Sequence, residues 1–305
     1  MDINVLINQI LILFIIITLG FVLKKQNIIT DDFKKGLASI LIQVTIPALI
    51  IDSILKIKLD RAMLKNLAAA TLVSFLVFLF LIIISILITG KMRCSRDKKN
   101  IFIFLLAFPN VGYMGIPVVS SIFPPEGVVY TIIYNIVYNV YLWTYGVHLF
   151  SSNKNSKIEW RKLLNQGTLA LIIGFLLLTI RIPLGPVRGA IEIIAEMTFP
   201  VSMLIIGSSL TTVKISNLLK DKYLYYQLIL KLILLPLAGF LILKPFKLPE
   251  MVKNISIIML AMPCGANTVI FAEKYNGDKL FASEAVFLTT LFSLITIPLI
   301  IWLIL

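Results

Sequence analysis

Apolar residues run along this chain in blocks of about twenty, separated by short polar stretches, and a block of that length is what an α-helix needs to cross a bilayer. Ten such blocks fall at 4–23, 36–55, 64–90, 101–122, 127–150, 166–181, 188–211, 223–243, 254–273 and 281–304. The third is long enough to tilt, and the sixth is short enough to depend on its neighbours. The pattern predicts an all-α polytopic membrane protein of ten transmembrane helices. The opening segment MDINVLINQILILFIIITLGF has neither a basic start nor a small-residue cleavage site, so it reads as a retained helix.

Two of the blocks are interrupted in the same way. Pro109 lies midway along IFIFLLAFPNVGYMGIPVVSSIF and Pro263 midway along ISIIMLAMPCGANTVIFAEKYNG, each within an Ala-x-Pro triplet followed by small and amide-bearing residues. A proline there removes a backbone donor and clashes with the preceding turn, so spans four and nine are expected to break at membrane depth. Broken backbone survives in lipid only where protein or a polar cavity covers it, which points to two discontinuous helices meeting around a solute site.

The two breaks are 154 positions apart, and the pair Thr45/Pro47 in VTIPALIIDSIL recurs as Thr198/Pro200 in MTFPVSMLIIGSSL at an offset of 153. Both offsets are about half the chain. Residues 1–150 and 166–305 therefore read as two five-span repeats joined by a cytoplasmic linker at 151–165. An odd number of spans inverts the second repeat relative to the first, and the solute site falls near the axis between them.

Composition changes little in this picture. Of the 305 residues 59% are hydrophobic, beyond the range of soluble domains. The net charge of +13 is explained by position, because 18 of the 28 Lys and Arg fall in the odd-numbered loops. The positive-inside rule then puts those loops in the cytoplasm and both termini outside it, in a multi-pass protein of the cytoplasmic membrane. Nucleic acid is not an expected partner. Cys94 and Cys264 offer neither a disulfide framework nor metal spacing, so no metal site and no cofactor is expected.

The stretch Asn110, Gly112, Tyr113, Gly115, Pro117 resembles the N-x-G-[FY]-x-G-x-P motif of the auxin efflux carrier family, which includes plant PIN-type carriers and bacterial malate permease-like members. Pro263, Gly265, the run Phe271, Ala272, Glu273, Lys274, Tyr275 and the proline Pro298 in the last span are similar to the same family's end. The resemblance covers essentially all ten spans. It implies a fold like that of the bile-acid sodium symporters, with spans four and nine crossing as broken helices. It also implies a moving unit of spans three, four, five, eight, nine and ten. Spans one, two, six and seven would form a scaffold and a homodimer surface. Asn110 matches the family's carboxylate-contacting asparagine, and Asn139, four residues before Trp143, matches a polar amide lining its site. The family's second-span serine is replaced by Ile50. The third span, AAATLVSFLVFLFLIIISIL, lacks the family's supporting acid and lysine, which argues against auxin itself.

Independently of the family, a helix that resumes after Pro109 or Pro263 presents free N–H groups and a positive dipole end, which suit a carboxylate. Asn110, Gly112, Tyr113, Asn135, Asn139, Cys264, Gly265 and Asn267 are the candidate substrate-binding residues. The asparagines either orient solute or only satisfy backbone freed by the breaks, and Gly112 and Gly115 either touch solute or allow close helix crossing. Ionisable residues at membrane depth are candidates by default. Glu196, with Glu192 one turn earlier, either carries a coupling proton or cation or faces water. Lys231 neutralises a carboxylate, pairs with Glu196 or Asp52, or snorkels. Asp52 reads first as an end-of-helix charge. His148 reads as a surface histidine. Tyr130, Tyr134, Tyr138, Tyr141 and Tyr145 line a path or pack the fifth span, and Ser208, Ser209, Thr211 and Thr212 either bind solute or bond back to their helix.

No HExxH, G-x-S-x-G or paired-Asp motif is present, so an enzyme is not expected. The expected function is a secondary-active or facilitative carrier of a small organic anion working by an elevator or rocking motion. The alternatives are an anion channel or a carrier of amino acids or other amphipathic weak acids. Na+ or H+ coupling stays open.

Overall fold

The structure, a computed structural model, describes residues 3–150, 165–180, 183–211, 221–275 and 277–304. The linker at 151–164 and Thr212 lie outside the described residues. Twelve helical pieces make up the described chain: α1 (Ile3–Lys25), α2 (Asp31–Lys56), α3 (Arg61–Gly90), α4 (Arg96–Ala107), α5 (Val111–Ile122), α6 (125–150), α7 (Gln166–Ile180), α8 (Pro186–Ser209), α9 (Lys222–Leu243), α10 (Glu250–Ala261), α11 (Asn267–Lys274) and α12 (Lys279–Ile304). At least five of them, α2, α3, α8, α9 and α12, are long and apolar enough to cross a membrane. Large apolar side chains such as Leu72, Leu76, Ile83 and Leu87 on α3 and Ile295 and Trp302 on α12 are exposed, the surface expected of a helix bundle that meets lipid.

Helix starts lie outside the apolar windows because polar caps set them. Asp60 Oδ1 accepts from Met63 N at 2.7 Å, so α3 begins at 61 and not at 64. Asn165 Oδ1 accepts from Thr168 N at 3.1 Å ahead of α7, and Asp278 Oδ1 from Phe281 N at 3.0 Å ahead of α12. Each cap satisfies a backbone donor that the first helical turn leaves free.

Prolines shape the helix interiors. The wide turns Leu41–Thr45, Val111–Gly115 and Leu230–Leu234 end just before Ile46, Ile116 and Leu235, each of which precedes a proline: Pro47, Pro117 and Pro236. In each, an N–H reaches five residues back, as Ile46 N does to Leu41 O. Widening the turn moves the carbonyl that a proline ring would otherwise strike. Leu142–Gly146 in α6 is a similar turn with no proline after it.

Pro109 and Pro263 act more severely. The fourth and ninth apolar blocks are split, α4 from α5 and α10 from α11. The broken segments lie against each other: Asn110 N donates to Pro263 O at 2.8 Å and Gly265 N to Phe108 O at 3.0 Å, an isolated antiparallel bridge that pairs Pro109 with Cys264. Gly265 is needed for that approach, because a Cβ there would sit 3.0 Å from the Phe108 carbonyl oxygen.

Around this bridge α3 packs on α4 and α6, and α9 on α10 and α12, while α1 packs on α8 and α2 on α7 and α8. The α1–α8 contact is backbone on backbone. A Cβ on Gly207 would lie 2.0 Å from Ile17 O, and one on Gly20 would lie 2.4 Å from Leu204 O. Neither obstacle is a flexible side chain. Gly207→Ala is therefore expected to push α1 off α8 and lower the thermal midpoint of purified protein, by an overpacking cost of about 1–3 kcal/mol. Gly189→Ala, in open space on the same helix, is expected to leave it unchanged or raise it slightly. Equal midpoints for the two variants would overturn the contact.

Candidate functional site

A cavity of about 210 Å³ opens at the bridge. Its polar lining comes from Asn110 and Tyr113 at the start of α5, Asn135, Tyr138 and Asn139 on α6, Asn165 and Gln166 at the start of α7, and Asn267 at the start of α11. Pro109, Gly112 and Gly265 complete that wall, and Ile42, Ile46 and Ile50 on α2 form the apolar face opposite. The lining contains no charged side chain among the described residues.

The amides are partly committed to backbone and to one another. Asn110 Oδ1 accepts from Tyr113 N at 3.2 Å, capping α5, and its NH2 remains a donor. Asn139 donates to Asn135 O at 2.7 Å and to Asn135 Oδ1 at 3.1 Å, which fixes both carboxamides one helical turn apart. Asn267 donates to the Tyr138 hydroxyl at 3.0 Å, tying the start of α11 to α6. Gly112 lies beside Asn135, where a Cβ would reach Asn135 Nδ2 only at the ordinary contact distance of 3.5 Å. Thus Asn110 satisfies backbone freed by its break, and Asn110, Asn135, Asn139 and Asn267 all line the cavity. The start of α11 has no side-chain cap; Thr268 N and Val269 N bond back to Gly265 O at 3.0 Å and Ala266 O at 3.1 Å.

The remaining candidates lie elsewhere. Cys264 and Pro263 are fully covered and do not line the cavity. The Cys264 thiol points to the far side of the bridge, where Sγ accepts from Gln227 Nε2 at 2.9 Å and donates to Leu105 O at 3.3 Å. Lys231 is on that side as well, its Nζ 3.2 Å from Leu106 O, so it pairs with neither Glu196 nor Asp52 and does not snorkel to water.

Asp52 is more than a helix-end charge. It is buried, with Lys56 Nζ at 2.9 Å and Arg188 Nη2 at 2.9 Å, and Lys56 also holds Glu192 at 2.8 Å. These pairs join α2 to α8. Glu196 is exposed and lines a second, separate cavity with Asp52. His148 is exposed. Tyr130 and Tyr134 are buried in packing, Tyr134 bonded to Ser256, while Tyr138 lines the cavity. Ser208, Ser209 and Thr211 bond back to carbonyls of their own helix.

Sequence reasoning missed Gln227, Asn165, Gln166 and the isoleucine wall. Ile42, Ile46 and Ile50 repeat every fourth residue, a one-face signal, but an apolar stripe in a membrane helix looks like any other. Gln227, one turn before Lys231, was the more visible clue.

The chain is similar along its length to known transporters. An uncharacterized transporter of Methanocaldococcus jannaschii is 24% identical over 308 residues, covering 98% of each chain. An uncharacterized transporter of Methanothermobacter thermautotrophicus is 22% identical over 294 residues, covering 96% of each. The model of the family described as membrane transport protein matches residues 5–301. With the match running through both breaks and every wall of the cavity, the chain belongs to the membrane transport protein family, that of the auxin efflux carriers.

Proposed function

We propose that the protein is a carrier for a small organic anion, bound as a carboxylate in the cavity at the paired breaks and moved by alternating access. The observation that carries this reading is the lining itself: the starts of α5 and α11, amide and hydroxyl donors between them, and no carboxylate among the described lining residues. Helix starts bring a positive dipole end, which with the Asn110 NH2 donor favours an anion in the cavity without a lysine or arginine in contact. Ile42, Ile46 and Ile50 opposite them favour a solute with an apolar body.

The carrier architecture is an inverted pair of five-span repeats with spans four and nine crossing. Packing supports it. α1 on α8 is matched by α7 on α2, α3 on α4 by α9 on α10, and α3 on α6 by α9 on α12, which is what exchanging α1–α6 with α7–α12 requires. Gly20 and Gly174, each pressed against the partner helix, are 154 positions apart, the spacing of the two prolines. In this arrangement α1, α2, α7 and α8 are the scaffold and dimer surface, and the other helices are the moving unit. The cavity then lies between the two, with its wall of isoleucines on the scaffold.

Orientation follows from the basic loops, which put both termini outside the cytoplasmic membrane and Asn165 near its inner face. Since Asn165, Gln166 and Gly167 line the cavity, the conformation is open toward the cytoplasm. Sliding of the moving unit past the isoleucine wall would close that side. The hydrogen bond from Ser202 on α8 to the carbonyl of Tyr113 is one contact between the units that must break.

Counterflow in proteoliposomes tests the reading. With labelled mono- and dicarboxylates inside or outside, a carrier accumulates label against its gradient when unlabelled solute is trapped opposite, whereas a channel only equilibrates. Failure of every carboxylate in the panel to exchange would sink the anion assignment. Asn110→Asp is the sharper variant, since its carboxylate can still cap Tyr113 N while placing a negative charge where Asn110 offered a donor. Exchange of an anion is expected to fall about a hundredfold, the ~3 kcal/mol of a like-charge contact plus a lost hydrogen bond. Retained exchange would show that the anion sits elsewhere.

A further inference from the structure

Pro109 leaves two carbonyls stranded at the end of α4, and the way they are answered is unlike anything at the other break. Leu105 O would ordinarily accept from residue 109, which as a proline has no N–H. Leu106 O would accept from Asn110 N, which is spent on Pro263 O. Leu105 O takes the Cys264 thiol at 3.3 Å, and Leu106 O takes the ammonium of Lys231 at 3.2 Å.

Lys231 is fully buried, on the wide turn Leu230–Leu234 that Pro236 induces in α9. Among the described residues no ion pair joins it to a carboxylate. An isolated charge in such a place is strongly unfavourable unless fixed dipoles replace water. Three features supply them. The end of α4 carries the negative pole of its dipole, worth about half an elementary charge. Gln227, one turn before Lys231 and also fully buried, keeps a carboxamide oxygen with no hydrogen-bond partner. The Cys264 sulfur takes the Gln227 amide, and the Thr289 hydroxyl accepts from Cys264 N at 3.2 Å. These groups gather behind the bridge, where the hydrogen bond of the ammonium is to Leu106 O.

At the other break the cation is missing from the sequence. The offset of 154 that relates the prolines carries Lys231 onto Val77 and Gln227 onto Val73, both buried in α3.

We propose that Lys231 is a resident cation. Its ammonium, on the Leu106 carbonyl and beside the unpaired Gln227 amide oxygen one turn away on its helix, fills a position behind the crossing that an alkali-metal ion would otherwise take, and so supplies the positive charge that accompanies the anion on the moving unit. No metal cation is then co-transported. This deepens the carrier reading and rests on it for the word transport, but the site itself can be tested without any solute.

The test is thermal unfolding of the purified full chain in about 200 mM NaCl, LiCl or choline chloride. Wild type is expected to melt at the same temperature in all three. Lys231→Ala, which empties the site, is expected to melt lower in choline chloride and to regain at least about 3 °C in NaCl or LiCl, a cation-specific recovery that a purely structural lysine would not produce. Lys231→Arg keeps a fixed charge and is expected to stay indifferent to the cation, which holds the question open to measurement if the alanine variant fails to fold. A wild-type midpoint raised by sodium over choline, an Lys231→Ala midpoint equal in the three salts, or sodium dependence in Lys231→Arg would each overturn the proposal. Because these melts need no substrate, absence of counterflow by wild type would refute the carrier reading alone.

Discussion

Two backbone hydrogen bonds, Asn110 N to Pro263 O and Gly265 N to Phe108 O, hold the centre of this molecule together. Inside a bilayer an unpaired N–H or C=O costs several kcal/mol, so a proline in mid-membrane is admissible only if the groups it frees find partners. Here each break partners the other. The bridge therefore ties α4, α5, α10 and α11 at one point, and the side chains next to it, Asn110 in front and Cys264 behind, inherit fixed positions. The cavity wall and the lysine nest are the two faces of that single constraint.

Much of this was legible because proline has so few ways to sit in an apolar helix. Pro109 and Pro263 announced the breaks, and the small residues after them announced the close approach. Asn110, Asn135, Asn139 and Asn267 could be named since an amide has little reason to lie in an apolar block unless it meets backbone or solute. What the sequence could not convey was facing. Cys264 and Gly265 are adjacent, yet one lies behind the bridge and the other lines the cavity, because successive residues in a short extended segment point to opposite sides. Asp52 was read as a helix-end charge for the same reason: its partner Arg188 is 136 positions away, and only packing of α2 on α8 brings them to 2.9 Å. The helix ends shifted by a few residues because polar caps, and not the apolar windows, decide where the first turn starts.

The contacts also divide the chain by rigidity. α1 and α8 touch through backbone at Gly20 and Gly207, and α2 and α8 are linked by the chain Asp52, Arg188, Lys56 and Glu192. Neither union can slide without losing close packing or unpairing a buried carboxylate, which is expensive once one partner leaves. By contrast the cavity meets α2 only through three isoleucines. Apolar side chains offer many nearly equal registers and no directional bonds to break. If one unit moves past the other as proposed, the isoleucines give that boundary a smooth stretch, while the Ser202 bond to the Tyr113 carbonyl also crosses it.

The repeat offset of 154 that relates the two prolines does not extend to the polar side chains. The offset of 154 relates Asn110 to Cys264 and Asn135 to Thr289, and it relates Gln227 and Lys231 to Val73 and Val77. A fully symmetric pair of breaks would carry two equal nests and no preference for where an anion or a cation sits. Substituting amides on one side and a lysine with its acceptors on the other separates the charges across the bridge, so that an anion in front and an ammonium behind lie on opposite faces of one crossing. On the proposed reading such a pair would move as a nearly neutral body, and moving a neutral body through the low-dielectric middle of a membrane avoids most of the desolvation that an unaccompanied carboxylate would suffer. In the carrier proposed above, an inverted backbone would supply the two states, and the unequal side chains would be the reason a charged solute could pass between them.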